Sequence, residues 1–145
     1  MESNDNLVKQ FNVINIIYMA LGAGMILSSA MFVFMVQTGA IVADPSLAGV
    51  LRFVVPVMGL GSYVVGKFLY STFAKKSKDE TDEIIKLNNF RTASLIVWAM
   101  LEGSGLFSSV CYFLTGDLIF LAFFAMIFVG YIVSRPSISK FQQDF

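Results

Sequence analysis

Four long apolar runs separated by polar punctuation dominate the pattern of this chain. The first is Val13–Val36, broken only by Asn15 and small residues. The second, Phe53–Gly66, is bounded by Arg52 and Lys67 and is expected to continue as an interfacial helix through Phe73. The third is Ala93–Leu114, and the fourth is Leu118–Val133, closed by Ser134-Arg135-Pro136. A membrane-spanning helix needs about 20 apolar residues, with about 17 tolerated, so the second and fourth runs are short and the others comfortable. Helices are the expected form, because every backbone polar group must be satisfied inside lipid. A transmembrane barrel would need alternating strands of about ten residues, and these runs do not alternate. The pattern predicts an all-α, integral membrane four-helix bundle filling a single domain, 1–145.

The connections are unequal. Gln37–Val50 contains Gly39, Asp44-Pro45 and Ser46 and reads as a turn-rich loop. Thr115-Gly116-Asp117 is a tight turn, so the third and fourth helices must be adjacent and antiparallel. Ala74–Phe90 is strongly charged, with Lys75, Lys76 and Lys78 followed by Asp79, Glu80, Asp82, Glu83 and Lys86. It is expected to be a solvated loop in which Thr81-Asp82-Glu83 starts a helix and Asp82 pairs with Lys86 at i,i+4. If both termini and this loop share a side, that side holds nine of the ten basic residues and leaves only Arg52 opposite. The positive-inside rule then puts both termini in the cytoplasm, and the chain in the cell inner membrane as a multi-pass protein.

Shifting the chain by 80 residues superposes Leu21-Gly-Ala-Gly-Met-Ile-Leu-Ser-Ser29 on Leu101-Glu-Gly-Ser-Gly-Leu-Phe-Ser-Ser109, and Tyr18 on Trp98. A shift of 68 superposes Ser62-Tyr-Val-Val-Gly-Lys67 on Gly130-Tyr-Ile-Val-Ser-Arg135. The same order of small, serine and terminal basic positions predicts a duplicated two-helix hairpin. Its first copy is 11–73, its second 91–135, with the charged loop 74–90 between them and a short tail 136–145. Gly22, Gly24, Gly103 and Gly105 are the expected helix-packing positions.

The chain is 57% hydrophobic and 14% charged, outside the range of ordinary soluble domains. Zero net charge offers no basic excess for nucleic acid. The absence of histidine removes imidazole chemistry and the commonest transition-metal ligand, so no metal and no cofactor are expected. Cys111 is the only cysteine and reads as a small buried apolar side chain. Against this background Glu102 stands out, the one charge in Ala93–Leu114. A carboxylate near the middle of the hydrocarbon costs on the order of 3 kcal/mol, which makes it a candidate functional group. On helical spacing it shares a face with Ala99, Leu106 and Ser109, turned into the bundle or towards a neighbouring subunit. In its neutral form it could donate to Ser28, Ser29, a carbonyl or water. Lys67 is a possible partner, although its repeat equivalent Arg135, at a helix end just before Pro136, favours snorkelling to headgroups. A lone acid does not make the paired constellation of general acid–base chemistry, so an enzyme is not expected.

Two resemblances follow from these residues. Ala99-Met-Leu-Glu-Gly-Ser-Gly-Leu-Phe107 resembles the ion-carrying helix of ring proteolipids, the c subunits of rotary ATP synthases. That resemblance implies Glu102 as a proton or sodium carrier, although here the acid lies on the first helix of its hairpin. Over nearly the whole chain, Arg91-Thr92-Ala93, Leu101–Phe107 and Arg135-Pro136 resemble a family of small, uncharacterised bacterial four-span membrane proteins. Two roles stand open at this point: an ion-coupled, proteolipid-like transport component using Glu102, or a structural or assembly subunit in which Glu102 packs helices. The expected partners are the bilayer and either further copies of the chain or other membrane subunits.

Overall fold

A computed structural model describes the chain from Glu2 to Phe145, with side chains from Leu7 onward. The described residues are all-helical, in the order α1 (Glu2–Gln37), a 3-10 turn (Pro45–Leu47), α2 (Ala48–Lys78), α3 (Glu83–Thr115), α4 (Ile119–Val133) and α5 (Ile138–Asp144). Three helices, α1, α2 and α3, are long and apolar enough to cross a membrane. The fourth apolar run qualifies only together with α5, from which α4 is bent by 74°. Alone, its 15 residues rise about 22 Å at 1.5 Å per residue, short of a hydrocarbon core about 30 Å thick.

The ends of these helices follow from their sequences. Gly116 ends α3 in the left-handed region at φ 68°, and its N–H donates to the Tyr112 carbonyl at 2.7 Å. Glycine enters that region without steric cost, which makes the reversal into α4 tight. Asp82 starts α3 by accepting from the Ile84 N–H at 2.8 Å. The expected Asp82–Lys86 side-chain pair is absent among the described residues, because the carboxylate serves as this cap. The stretch expected as a charged loop, 74–90, is also mostly helix. Charged side chains are compatible with exposed helix, so α2 runs on to Lys78 and only Asp79–Asp82 separates it from α3.

Packing centres on α3. Half (50%) of its most apolar stretch is buried within the chain, against 17% in α1 and 11% in α2. It packs against α1, α2 and α4, whereas α1 and α2 scarcely touch among the described residues. The antiparallel α3–α4 hairpin is therefore tight, held by Ser108 donating to the Phe120 carbonyl at 2.6 Å. The longer Thr38–Leu47 connection lets α1 and α2 part and lie on different sides of α3. At the turn-rich end, the Asp44 N–H donates to the Leu114 carbonyl at 2.8 Å, and Arg52 binds Asp117 at 2.7 Å. At the opposite end, α5 folds back to bury Phe141 and Phe145 among Phe11, Tyr70 and Phe90.

Candidate functional site

Glu102 is not a buried glutamate. It is partly exposed on α3, and the outward positions around it explain why. Val97, Trp98, Leu101, Ser104, Gly105, Ser108 and Ser109 take the contacts with neighbouring helices, so Ala99 and Gly103 face outward and Glu102 stands at the edge between. The face expected to carry Ala99, Glu102, Leu106 and Ser109 together is split, since Ser109 is fully buried and Ala99 exposed. No hydrogen bond or ion pair to Glu102 occurs among the described residues. Its Oε1 lies 4.0 Å from where a Cβ on Gly24 would stand, across the α1–α3 seam.

The serines named with it have other partners. Ser109 donates to the Gly105 carbonyl at 3.2 Å, which leaves its oxygen to accept from Ser29 at 2.5 Å. Ser28 is partly exposed on α1. Gly22 lies under the Tyr131 ring, 3.1 Å from an added Cβ, and a Cβ on Gly105 would meet the Met25 methyl at 2.5 Å. Around Gly103 nothing lies within 4 Å, because that face of α3 is turned outward, so the close packing expected there is absent within the chain.

Lys67 does not pair with Glu102. Its ammonium lies 5.9 Å from the Tyr63 ring centre, and it lines a cleft of about 260 Å³ between α2, α3, the end of α4 and α5. Arg135 and Lys140 line the same cleft. Beside it lies an aromatic knot. The Tyr18 and Tyr131 rings stack at 4.7 Å, and each hydroxyl donates to the other residue's carbonyl, at 3.1 and 2.6 Å. Trp98 packs edge-on to Tyr18 at 5.1 Å and donates its indole N–H to the Ser134 carbonyl at 3.0 Å. Sequence reasoning paired Lys67 with Arg135 as equivalent boundary residues. Lys140, Ser94 and Trp98 as cleft neighbours went unseen, since the fold-back of α5 is what assembles them.

Among the described residues no group of histidine, cysteine, aspartate and glutamate side chains could hold a metal ion. Comparison with family models, with curated proteins and with solved structures found no match.

Proposed function

We propose that the chain is a multi-pass subunit of a membrane assembly, both termini cytoplasmic, and that Glu102 is where a neighbouring transmembrane helix docks. The observation that carries this reading is the unpaired, partly exposed carboxyl between outward-facing Ala99 and Gly103. Small residues four apart let a second backbone approach closely, and a donor on that helix would satisfy the acid. Glu102 lines neither of the two clefts between α2 and α4.

Depth follows from the aromatic and basic residues. Tyr18, Trp98 and Tyr131 cluster inside the bundle level with Lys67 and Arg135, the basic residues that bound the apolar runs. Glu102 is four residues past Trp98, about 6 Å deeper, nearer the interface than its run of apolar neighbours suggested. The orientation is supported by Arg52, the single basic residue on the far side, being neutralised by Asp117. The duplicated hairpin is supported by contacts between equivalent positions: Tyr18 with Trp98, Met25 with Gly105 and Ser29 with Ser109 at one offset, Gly59 with Ile127 at the other. The resemblance to small bacterial four-span proteins fits the same fold and topology.

A photo-crosslinking residue at Gly103, in membranes, tests the reading. The expected result is a discrete adduct to a second membrane protein or a second copy, retained in Glu102→Gln and lost in Glu102→Leu. An adduct pattern identical in wild type and Glu102→Leu would overturn it. The ion-carrying reading separates in liposomes carrying a pH-sensitive dye. Proton movement that Glu102→Gln abolishes, with the adduct intact, would replace docking by transport.

A further inference from the structure

We infer that the α2–α3–α4 cleft is a binding site for an anionic phospholipid, with the phosphate at its basic end and an acyl chain in its apolar end. Two cavities lie in series along the same three helices. The basic one, about 260 Å³, is lined by Lys67 of α2, Ser94 and Trp98 of α3, and Arg135 and Lys140 beyond α4. The apolar one, about 390 Å³, is lined by Gly59 and Tyr63 of α2, Leu101 of α3, and Ile127 and Gly130 of α4. Tyr63 and Lys67 are one helical turn apart, as are Gly130 and Ser134, so the two cavities follow one another about 6 Å apart along the helices. Small-molecule sites typically span about 300–1,000 Å³, so the basic cavity suits a headgroup better than a whole ligand.

The origin of this shape is the short fourth helix. It stops at Val133 while α2 and α3 run on past it, and α5 turns beneath to close the gap. What remains is a notch at headgroup level, opening upward between α2 and α4 where Gly130 presents no side chain, while Gly59 lets Ile127 of α4 come close at its floor.

The polar groups are arranged for an anion. Three cations face one carboxylate, Asp144, which already accepts from the Tyr70 hydroxyl at 3.0 Å. Lys140 spends two of its protons on the Val133 and Arg135 carbonyls, at 2.9 and 3.1 Å. Lys67 and Arg135 have no acceptor among the described residues. Ser94 is the independent sign of a ligand. The residue is 5% exposed and what remains open lines the basic cavity, so its hydroxyl, which bonds no protein group among the described residues, is left for whatever fills that cavity. A phosphate oxygen would satisfy that hydroxyl, and guanidinium and ammonium groups bind phosphate through charge-assisted hydrogen bonds.

Trp98 is the chain's single tryptophan and lines the basic cavity, so its fluorescence reports occupancy. Purified protein in neutral detergent is titrated with phosphatidylglycerol brominated near the top of one acyl chain, and with the matching phosphatidylcholine. Saturable quenching by the first at no more than a tenth of the concentration needed for the second is expected, competed by unlabelled phosphatidylglycerol. The exposed pair Lys67→Gln with Arg135→Gln should weaken it at least tenfold. So should Gly130→Leu, which fills the apolar end where an added Cβ meets nothing within 4 Å, and which keeps the helix. Equal quenching by both lipids, unchanged in these variants, means a general lipid annulus and overturns the inference. Competition by inorganic phosphate with no effect of Gly130→Leu means a free-anion site and overturns it equally.

Discussion

Ser29 and Ser109, eighty positions apart, meet hydroxyl to hydroxyl at 2.5 Å with no other side chain between them. Ser109 donates its hydrogen bond to the Gly105 carbonyl, which leaves Ser29 as the donor to Ser109. The contact fixes the register of α1 on α3, because a slip of one residue would bury both hydroxyls against apolar neighbours. Interhelical hydrogen bonds in membranes average about 0.6 kcal/mol and reach about 1.7, and a stranded buried hydroxyl costs more than the bond it loses. Ser29→Ala and Ser109→Ala should each lower stability by about 1 kcal/mol, and the double variant by less than their sum. Equilibrium unfolding in mixed micelles measures the cycle; full additivity would show that the pair is not coupled.

Glycine substitutions should rank by the stiffness of the neighbour, not by distance alone. An added Cβ at Gly22 meets the Tyr131 ring at 3.1 Å, and that ring is held by stacking on Tyr18 and by its hydroxyl donating to the Tyr18 carbonyl. At Gly105 the approach is shorter, 2.5 Å, but the atom met is the terminal methyl of Met25, the far end of a flexible though fully buried side chain. Gly22→Ala should therefore cost about 1–3 kcal/mol, as overpacking does, and Gly105→Ala less. Gly103→Ala meets nothing and should gain up to about 1 kcal/mol of helix propensity within one chain. Melting of the three variants in detergent gives the order directly. A larger loss at Gly105 than at Gly22 would mean that Met25 is fixed.

How much of this was legible in the sequence differs between the two ends of the molecule. The apolar runs and Gly116 were enough for the antiparallel α3–α4 hairpin, since run length and a left-handed turn residue are local signals. The offset of 80 was a statement of equivalence, not of contact, so it did not foretell that Tyr18 and Trp98, or Ser29 and Ser109, would meet. The outward placement of Glu102 was not legible: helical spacing grouped it with Ser109, and only the position of α1 decides where the buried face ends. Nor was the role of the tail. Phe141 and Phe145 have the i,i+4 spacing of an amphipathic turn behind a Ser137 cap, a signal present but too short to distinguish from a solvated end. The basic cleft depends on that fold-back, so it emerged only with the tertiary structure.

The topology can be read by labelling. Lys76 is exposed near the α2–α3 turn, and Ser46 is exposed at the opposite end of the bundle, while native Cys111 is 1% exposed and should stay silent. In intact cells, a membrane-impermeant thiol reagent should modify Ser46→Cys and miss Lys76→Cys until the membrane is opened. Labelling of Lys76→Cys from outside would reverse the orientation argued from the basic residues.

The Arg52–Asp117 pair should make stability fall in acid. Hydrogen bonds from the Arg52 guanidinium, then from the Ile119 N–H, hold the Asp117 carboxyl below its ordinary range. A carboxyl lowered in the folded state contributes stability that is present above its unfolded value, about 3.9, and is lost as pH falls through the folded value. The unfolding midpoint of wild type should therefore exceed that of Asp117→Asn near neutrality, and the gap should close below about pH 4. Asp44 titrates in the same window, lowered by its bonds to Ser46, but it is common to both proteins and cancels in the difference. High salt should narrow the gap at neutral pH, since Arg52 is 57% exposed and exposed ion pairs are screened. The backbone bond from Ile119 gives the residual, salt-insensitive part. A gap independent of both pH and salt would mean that Asp117 acts through the geometry of the turn and not through its charge.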